Sequence, residues 1–301
     1  MKKFIFFALI LCIALCLFAS CNPESVYDED AILSDILKSY RTDGMTSWWE
    51  ILAVYNADEN PMDYKGFDDV LSSLEGNTNL KMASYVIVSN VAVAIGADAG
   101  YFEKYEEYKA ILKNLVENPT DDYNLNDYIF GYFALKTSGM DFDEFPFFNY
   151  LIEAQKSDGG FALSGDKGDV DMTAFAIQTM RFIENPYYSV VTFITPTFIK
   201  AVNFLESNIN ENGTFTSYGN ENAESTACAL SALVGGYNAA AEKASDGLAL
   251  FKVKKEIGYS HLKGGKSDVL ATAQAAIALS DLKNSTCVWE KLYQHKTHNE
   301  Y

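Results

Sequence analysis

The chain has 301 residues, 49% of them hydrophobic, enough for one large domain or two small ones and too apolar for a disordered or fibrous polymer. Twenty-three basic residues stand against 41 acidic ones, a formal charge of -18 at pH 7. So acidic a surface repels phosphate, which argues against nucleic acid as a partner and leaves cations and neutral ligands open.

Lys2 and Lys3, an apolar run from Phe4 to Phe18 and the small pair Ala19-Ser20 have the form of an export signal, so residues 1–20 are set apart from the fold. Cys21 follows at once. Leu17-Phe18-Ala19-Ser20-Cys21 resembles the lipobox at which bacterial lipoproteins are cleaved and acylated, with Phe18 in place of the more usual Leu. That resemblance implies a lipid on Cys21, anchorage to a bacterial membrane and an outward or periplasmic location; two or more acyl chains suffice for stable anchoring. After Cys21 only Cys228 and Cys287 remain, too few for a disulfide framework, and their pairing stays open.

Residues 21–29 read as a polar tether. From there apolar residues recur at three- and four-residue intervals and no alternating strand stands out, which predicts an all-α domain over 30–285 followed by a polar tail at 286–301. Gly, Pro and Asn-rich breaks mark about twelve helical segments, starting near Ala31, Thr46, Phe67, Leu80, Lys104, Leu125, Phe145, Val170, Pro196, Asn222, Ala240 and Lys266. These make six hairpins. The second helices of the hairpins recur at roughly 30 to 55 residues, a repeat period. The later ones are rich in Ala, Ser and Thr, whereas the intervening helices carry bulkier Leu, Ile, Phe and Val. Small side chains let helices crowd a common axis, so the expected fold is an α/α toroid with inner and outer rings; a helical solenoid differs in that its first and last hairpins do not meet.

Three junctions carry a family resemblance: Gln155 to Phe161 with Asp169 to Ala174, Asn212-Gly213-Thr214-Phe215 with Glu224-Ser225-Thr226-Ala227, and Gly264-Gly265-Lys266-Ser267-Asp268. They are similar to the terpenoid cyclase and protein prenyltransferase toroid superfamily, from about Ser47 to Leu282, and most of all to single-toroid squalene-cyclase-like or prenyltransferase-like domains of exported bacterial proteins. Asp169-Val170-Asp171-Met172 resembles the Asp-x-Asp-Asp acid of class II triterpene cyclases. Asp171 matches the proton donor, while Met172 replaces the last Asp. Gly265-Lys266-Ser267-Asp268 resembles the stretch before the zinc histidine of prenyltransferase β subunits, but Ala271 stands at that histidine's place and no Asp-x-Cys is present, so no metal and no cofactor is expected. The cobalamin carriers of animals are a third similar group, though they close over the corrinoid with a further β domain.

Asp127, Asp171, Glu224 and Asp268, with Glu50, fall near the starts of inner helices, so a toroid brings them around one mouth. There they cap free amides at about 0.3–1 kcal/mol each, or they bind a ligand. Trp48, Trp49, Tyr128 and Tyr218 are the aromatic candidates, able to stack on a sugar or line an apolar pocket, or simply to fill the core. The functional expectation is a lipid-anchored surface protein whose toroid binds a small or glycan-like ligand at its mouth without catalysis. The alternatives are an enzyme using Asp171 as general acid, cyclase-like or glycan-active, and a structural or protein-interaction module with a packed barrel.

Overall fold

The computed structural model describes residues 27–182 and 188–298. The signal-like segment, Cys21 and most of the tether lie outside the described residues.

Among those residues the chain forms α1 (Glu29–Asp43), α2 (Trp48–Asn56), α3 (Phe67–Ser73), α4 (Asn79–Ala94), α5 (Tyr105–Glu117), α6 (Leu125–Ser138), α7 (Phe145–Ala154), α8 (Val170–Met180), α9 (Tyr188–Asn208), α10 (Ala223–Leu233), α11 (Asn238–Ala249), α12 (Val269–Asn284) and α13 (Val288–His298). The fold is an all-α toroid. Even-numbered helices up to α12 form the inner ring and are buried nearly all round, as from Met82 to Ala92 in α4. Odd-numbered helices up to α11 form the outer wall; α1 buries only the stripe Ile32, Leu33, Ile36, Leu37 and Tyr40, the mark of an amphipathic surface helix.

The ring closes. α12 packs against both α10 and α2, and Asn56 Nδ2 donates to the Ile277 carbonyl at 3.1 Å and to Asp281 Oδ1 at 2.7 Å. Tyr27 meets Tyr259 through their hydroxyls, and Ser245 donates to Glu29. The first and last hairpins therefore touch, which distinguishes a toroid from a solenoid.

Every inner helix begins at a side-chain cap: Ser47, Thr78, Asn124, Asp169, Asn222 and Asp268 each accept from an amide of the first turn. Neighbouring inner helices run parallel, so these capped ends share one face of the barrel, its mouth. In the last three hairpins a threonine four residues after the cap adds a second bond. Thr173, Thr226 and Thr272 accept, through Oγ1, the backbone N–H of Phe161, Phe215 and Tyr259, at 2.8, 3.0 and 2.9 Å. All three rings are fully buried between hairpins. Thr226→Val keeps the shape but strands the buried Phe215 amide, and a loss of about 1–3 kcal/mol is expected in a urea melt. A loss under 0.5 kcal/mol would assign the junction to ring packing alone.

The turn before each ring needs glycine. Gly213 has φ 84°, and a Cβ there would come within 2.0 Å of the Lys243 carbonyl oxygen on the neighbouring outer helix. Gly159 does the same against the Lys200 carbonyl at 2.7 Å.

Three expectations are corrected. α9 begins at Tyr188, so Pro196 lies within the helix rather than opening it. A two-stranded antiparallel hairpin, β1 (Phe215–Ser217) and β2 (Asn220–Asn222), stands between α9 and α10; strands of three residues are too short to show alternation. The segment set aside as a polar tail contains α13, which plugs the end of the barrel opposite the mouth. Its polar residues hid Trp289, 1% exposed and stacked on Phe133 at 4.3 Å. His295, placed in that tail, lies on α13 against Tyr55. Among the described residues no helix is long and apolar enough to cross a membrane.

Candidate functional site at the barrel mouth

An aromatic column fills the barrel. Trp48 and Trp49, half-buried at the mouth, stack at 4.1 Å. Below them Phe130 meets Trp48, Trp49 and Phe175 at 5.7, 5.9 and 5.2 Å. Trp289 closes the column from the other end, 6.2 Å from Phe130. Between these rings and Gln178, Cys228, Ser231 and Gln274 is left a cavity of about 20 Å³. That holds one or two water molecules. A cavity of that size holds no terpenoid hydrocarbon.

The candidate carboxylates divide by role. Glu50 is buried and accepts from the amides of Thr46 and Ser47, a capping duty that occupies it. Asp268 caps α12 through the Ala271 amide at 3.0 Å and is otherwise exposed. Asp127 completes a capping box with Asn124, its Oδ2 accepting at 3.3 Å. Asp171 caps nothing, because Asp169 holds that place with the Met172 amide at 2.8 Å. Asp171 Oδ1 is instead buried without a hydrogen-bond partner. Burial pushes its carboxyl up to about 6; the nearby Ser225 hydroxyl, too poorly placed for a proper bond, draws it partly back, and the charges of Asp169 and Glu224 raise it further. Glu224 is paired with His261 Nδ1 at 2.8 Å. The mouth thus gathers Asp169, Asp171 and Glu224, while Asp127 and Asp268 point elsewhere. Capping signals alone cannot separate these two groups; the discriminating sign in sequence is that Asp171 stands two places after a residue that already caps.

Tyr218 occupies the tip of the β1–β2 hairpin with φ 50°, followed by Gly219 at 84°. This is the turn geometry that Asn or Gly takes at lowest cost, and an 83% exposed tyrosine gains no burial in return. The charge of Asp169, slight burial and the charge of Asp171 raise its phenol, and β1 packs against α8. Tyr128, by contrast, is fully buried and is removed from the ligand-facing set. Its hydroxyl donates to the Thr120 carbonyl and accepts the Thr120 amide, both at 2.7 Å, bracing the loop before α6.

That loop forms one wall of an open groove of about 650 Å³ beside the mouth, between the start of α6, the end of α7 and the turn after Phe161. Tyr150 packs on Tyr128 at 4.6 Å, and Tyr123 lies 6.4 Å from Tyr128 on its other side. The Tyr150 phenol is raised by burial and by the neighbouring Tyr128, Asp121 and Asp127. Burial likewise raises Asp127, partly offset by the Asn124 amide. Asp121, Asp122 and Glu153 add carboxylates, and Lys156 is the basic residue on the wall. Cys228 and Cys287 are both free and buried.

No family model matches the chain, and no curated protein matches it. Among solved structures it is similar to haptocorrin, crystallised in complex with Cbi, with a TM-score of 0.56 at 15% identity over 86% of this chain and 67% of that one. At that identity the likeness shows a common helical toroid-like fold.

Proposed function

We propose that this chain is a binding protein of the terpenoid cyclase and prenyltransferase toroid type, lipid-anchored through Cys21 on the outer side of a bacterial membrane, that takes a glycan-like ligand in the groove beside its mouth. The groove carries the reading. A half-buried tyrosine flanked by carboxylates offers a ring face for sugar C–H groups and acceptors for sugar hydroxyls. The filled barrel supports surface binding over enclosure, and it weighs against cyclase chemistry, which needs a dry chamber around the protonated carbon. The fold shared with a structure that holds Cbi supports ligand binding in general without fixing the ligand.

Calorimetry against a panel of neutral oligosaccharides tests the reading. At least one should bind, with Tyr150→Ala weakening it tenfold or more and Asp127→Asn three- to tenfold, both variants retaining wild-type circular dichroism. A panel without a binder, or a binder indifferent to Tyr150, would remove the groove from consideration. Mass spectrometry of the membrane fraction should find a diacylglyceryl Cys21 at the mature N-terminus.

A further inference from the structure

Of fourteen exposed large hydrophobic side chains among the described residues, five fall in the connection from α11 to α12: Leu250, Ile257, Leu262, Val269 and Leu270, each 40–50% exposed. The same stretch is basic in an acidic chain. Residues 252–266 hold five lysines, Lys252, Lys254, Lys255, Lys263 and Lys266, against the single acid Glu256. The loop is a braced object. The Val253 amide donates to the Gly258 carbonyl and the Gly265 amide to the Leu262 carbonyl, both at 3.0 Å, closing two turns. Ser267 ties the first turn to the chain just past the second: its amide donates to Glu256 Oε2 at 2.9 Å and its hydroxyl to the Ile257 carbonyl at 2.8 Å. Ile257 and Leu262 are thereby held exposed at the mouth end of the fold. Single exposed aliphatic residues are ordinary, whereas a group of them marks a surface that something else covers.

We propose that this loop rests on the surface of a bilayer containing anionic phospholipid. Aliphatic tips among lysines suit an interfacial contact: the tips enter the acyl boundary, while lysine stems lie along apolar surface and keep their ammonium groups among the headgroup phosphates. Lys254, Lys255 and Lys266 are exposed and form no ion pair among the described residues; Lys263 is held by Glu221, and Glu224 is engaged by His261. Asp268, the acid at the end of the loop, caps α12. Acids elsewhere on the chain act weakly at the contact, because salt screens charges beyond about 8 Å at physiological ionic strength. The point where the chain enters the fold also indicates the occupant. Tyr27, the first described residue, bonds through its hydroxyl to Tyr259 in the middle of the loop. Cys21 stands six residues earlier, so its Cα lies within about 22 Å of that of Tyr27. The setting rests on the proposed lipid at Cys21, whereas the contact of the loop itself does not need that lipid. In the six-helix inner ring α12 stands opposite α6, three places away in either direction. A molecule resting on this loop therefore holds the groove at α6 away from the bilayer.

The probe is a vesicle of three parts phosphatidylcholine to one of phosphatidylglycerol, with pure phosphatidylcholine as the neutral counterpart. The chain from residue 21 holds every described residue; it carries Cys21→Ser so that no lipid contributes, is checked for a cooperative urea transition and is floated with each vesicle. Partition into the anionic vesicle should exceed that into the neutral one at least tenfold and fall threefold or more between 0.1 and 0.5 M salt. A lysine near an anionic surface contributes about fivefold, so Lys254→Gln with Lys255→Gln should lose tenfold or more. The same change of charge at the opposite end of the barrel, Lys104→Gln with Lys283→Gln, should alter partition less than twofold. Ile257→Ser with Leu262→Ser should lose threefold or more at unchanged charge, which electrostatic attraction alone would not show. All variants should keep wild-type circular dichroism. No partition, equal partition into both vesicles, equal losses from the two lysine pairs, or wild-type partition of the Ile257 and Leu262 variant would each overturn the proposal. A dimer in light scattering that Lys254→Gln with Lys255→Gln dissociates would give the surface to a second copy of the chain, with the same result. Tyr150→Ala should leave partition unchanged, so glycan binding, the Cys21 lipid and this contact stand or fall separately.

Discussion

Replacing Trp289 with alanine is expected to destabilise the domain by about 3–5 kcal/mol, the range for a fully buried large aromatic. The indole lies flat on Phe133, 6° from parallel, and edge-on to Phe130, so its loss empties the lower end of the column and merges that space with the cavity of about 20 Å³ above. The surrounding rings belong to α6, whose position is fixed by its own neighbours, and they have little freedom to collapse inward. Urea unfolding measures the loss directly, and increased binding of a hydrophobic dye by the folded variant would report the opened end. Tyr293→Ala, half-buried on the same helix, should cost far less. If both variants lose under 1 kcal/mol, α13 is only loosely docked.

Asp281→Asn is expected to stabilise the protein above pH 7. This carboxyl is wholly buried at the ring closure, where burial pushes it up to about 7 against the pull of Ser231, Asn56 and the Val288 amide. The folded state therefore holds its proton more tightly than the unfolded chain does. Its contribution is fully present below about pH 4, declines as pH rises towards 7 and is flat above; over that window the loss is about 2–4 kcal/mol. Asparagine keeps the acceptor for Asn56 Nδ2 and removes the titration. The variant should gain stability at pH 8 and match the wild type near pH 4, as read from urea midpoints at the two values. The two oxygens left without partners, Asn56 Oδ1 and Asp281 Oδ2, are those that a neutral acid and an amide would join. A wild-type stability that does not fall from pH 4 to 8 would contradict the assignment. Asp171 adds a smaller dependence of the same sign, so the double variant with Asp171→Asn should flatten the curve further.

The inner ring was legible in the sequence because its helices announce themselves twice, by caps such as Asp169 and Asp268 and by small residues that continue through the buried turns. Val170 and Leu125 begin helices where periodicity and punctuation place them. The end of the barrel opposite the mouth was not legible: in α13, Trp289 and Leu292 are separated by Glu290 and Lys291, and their burial depends on a socket built by α6. The site was half legible. Asp127, Asp171, Glu224 and Asp268 all fall at the starts of inner helices, but Asp268 is itself a cap and Asp127 completes a capping box, whereas Asp171 and Glu224 stand two places after a cap. The groove joins Asp121 and Asp127 to Tyr150 and Leu163, residues whose proximity is a property of the closed ring and of no local pattern.

The contacts that close the ring join residues 216 to 253 positions apart, from Glu29 with Ser245 to Asp30 with Lys283. A linear stack of hairpins can begin to fold as its first units emerge and can fray from either end. A ring has no such ends, and loop-closure entropy must be met before its last interface forms. Synthesis therefore has to reach α12 and α13 before α2 acquires its second neighbour. Until then, Ile51, Leu52 and the buried face around them remain available to wrong partners. Unfolding should be correspondingly all-or-none, and truncation at either terminus should release every hairpin together rather than shorten the stack by one.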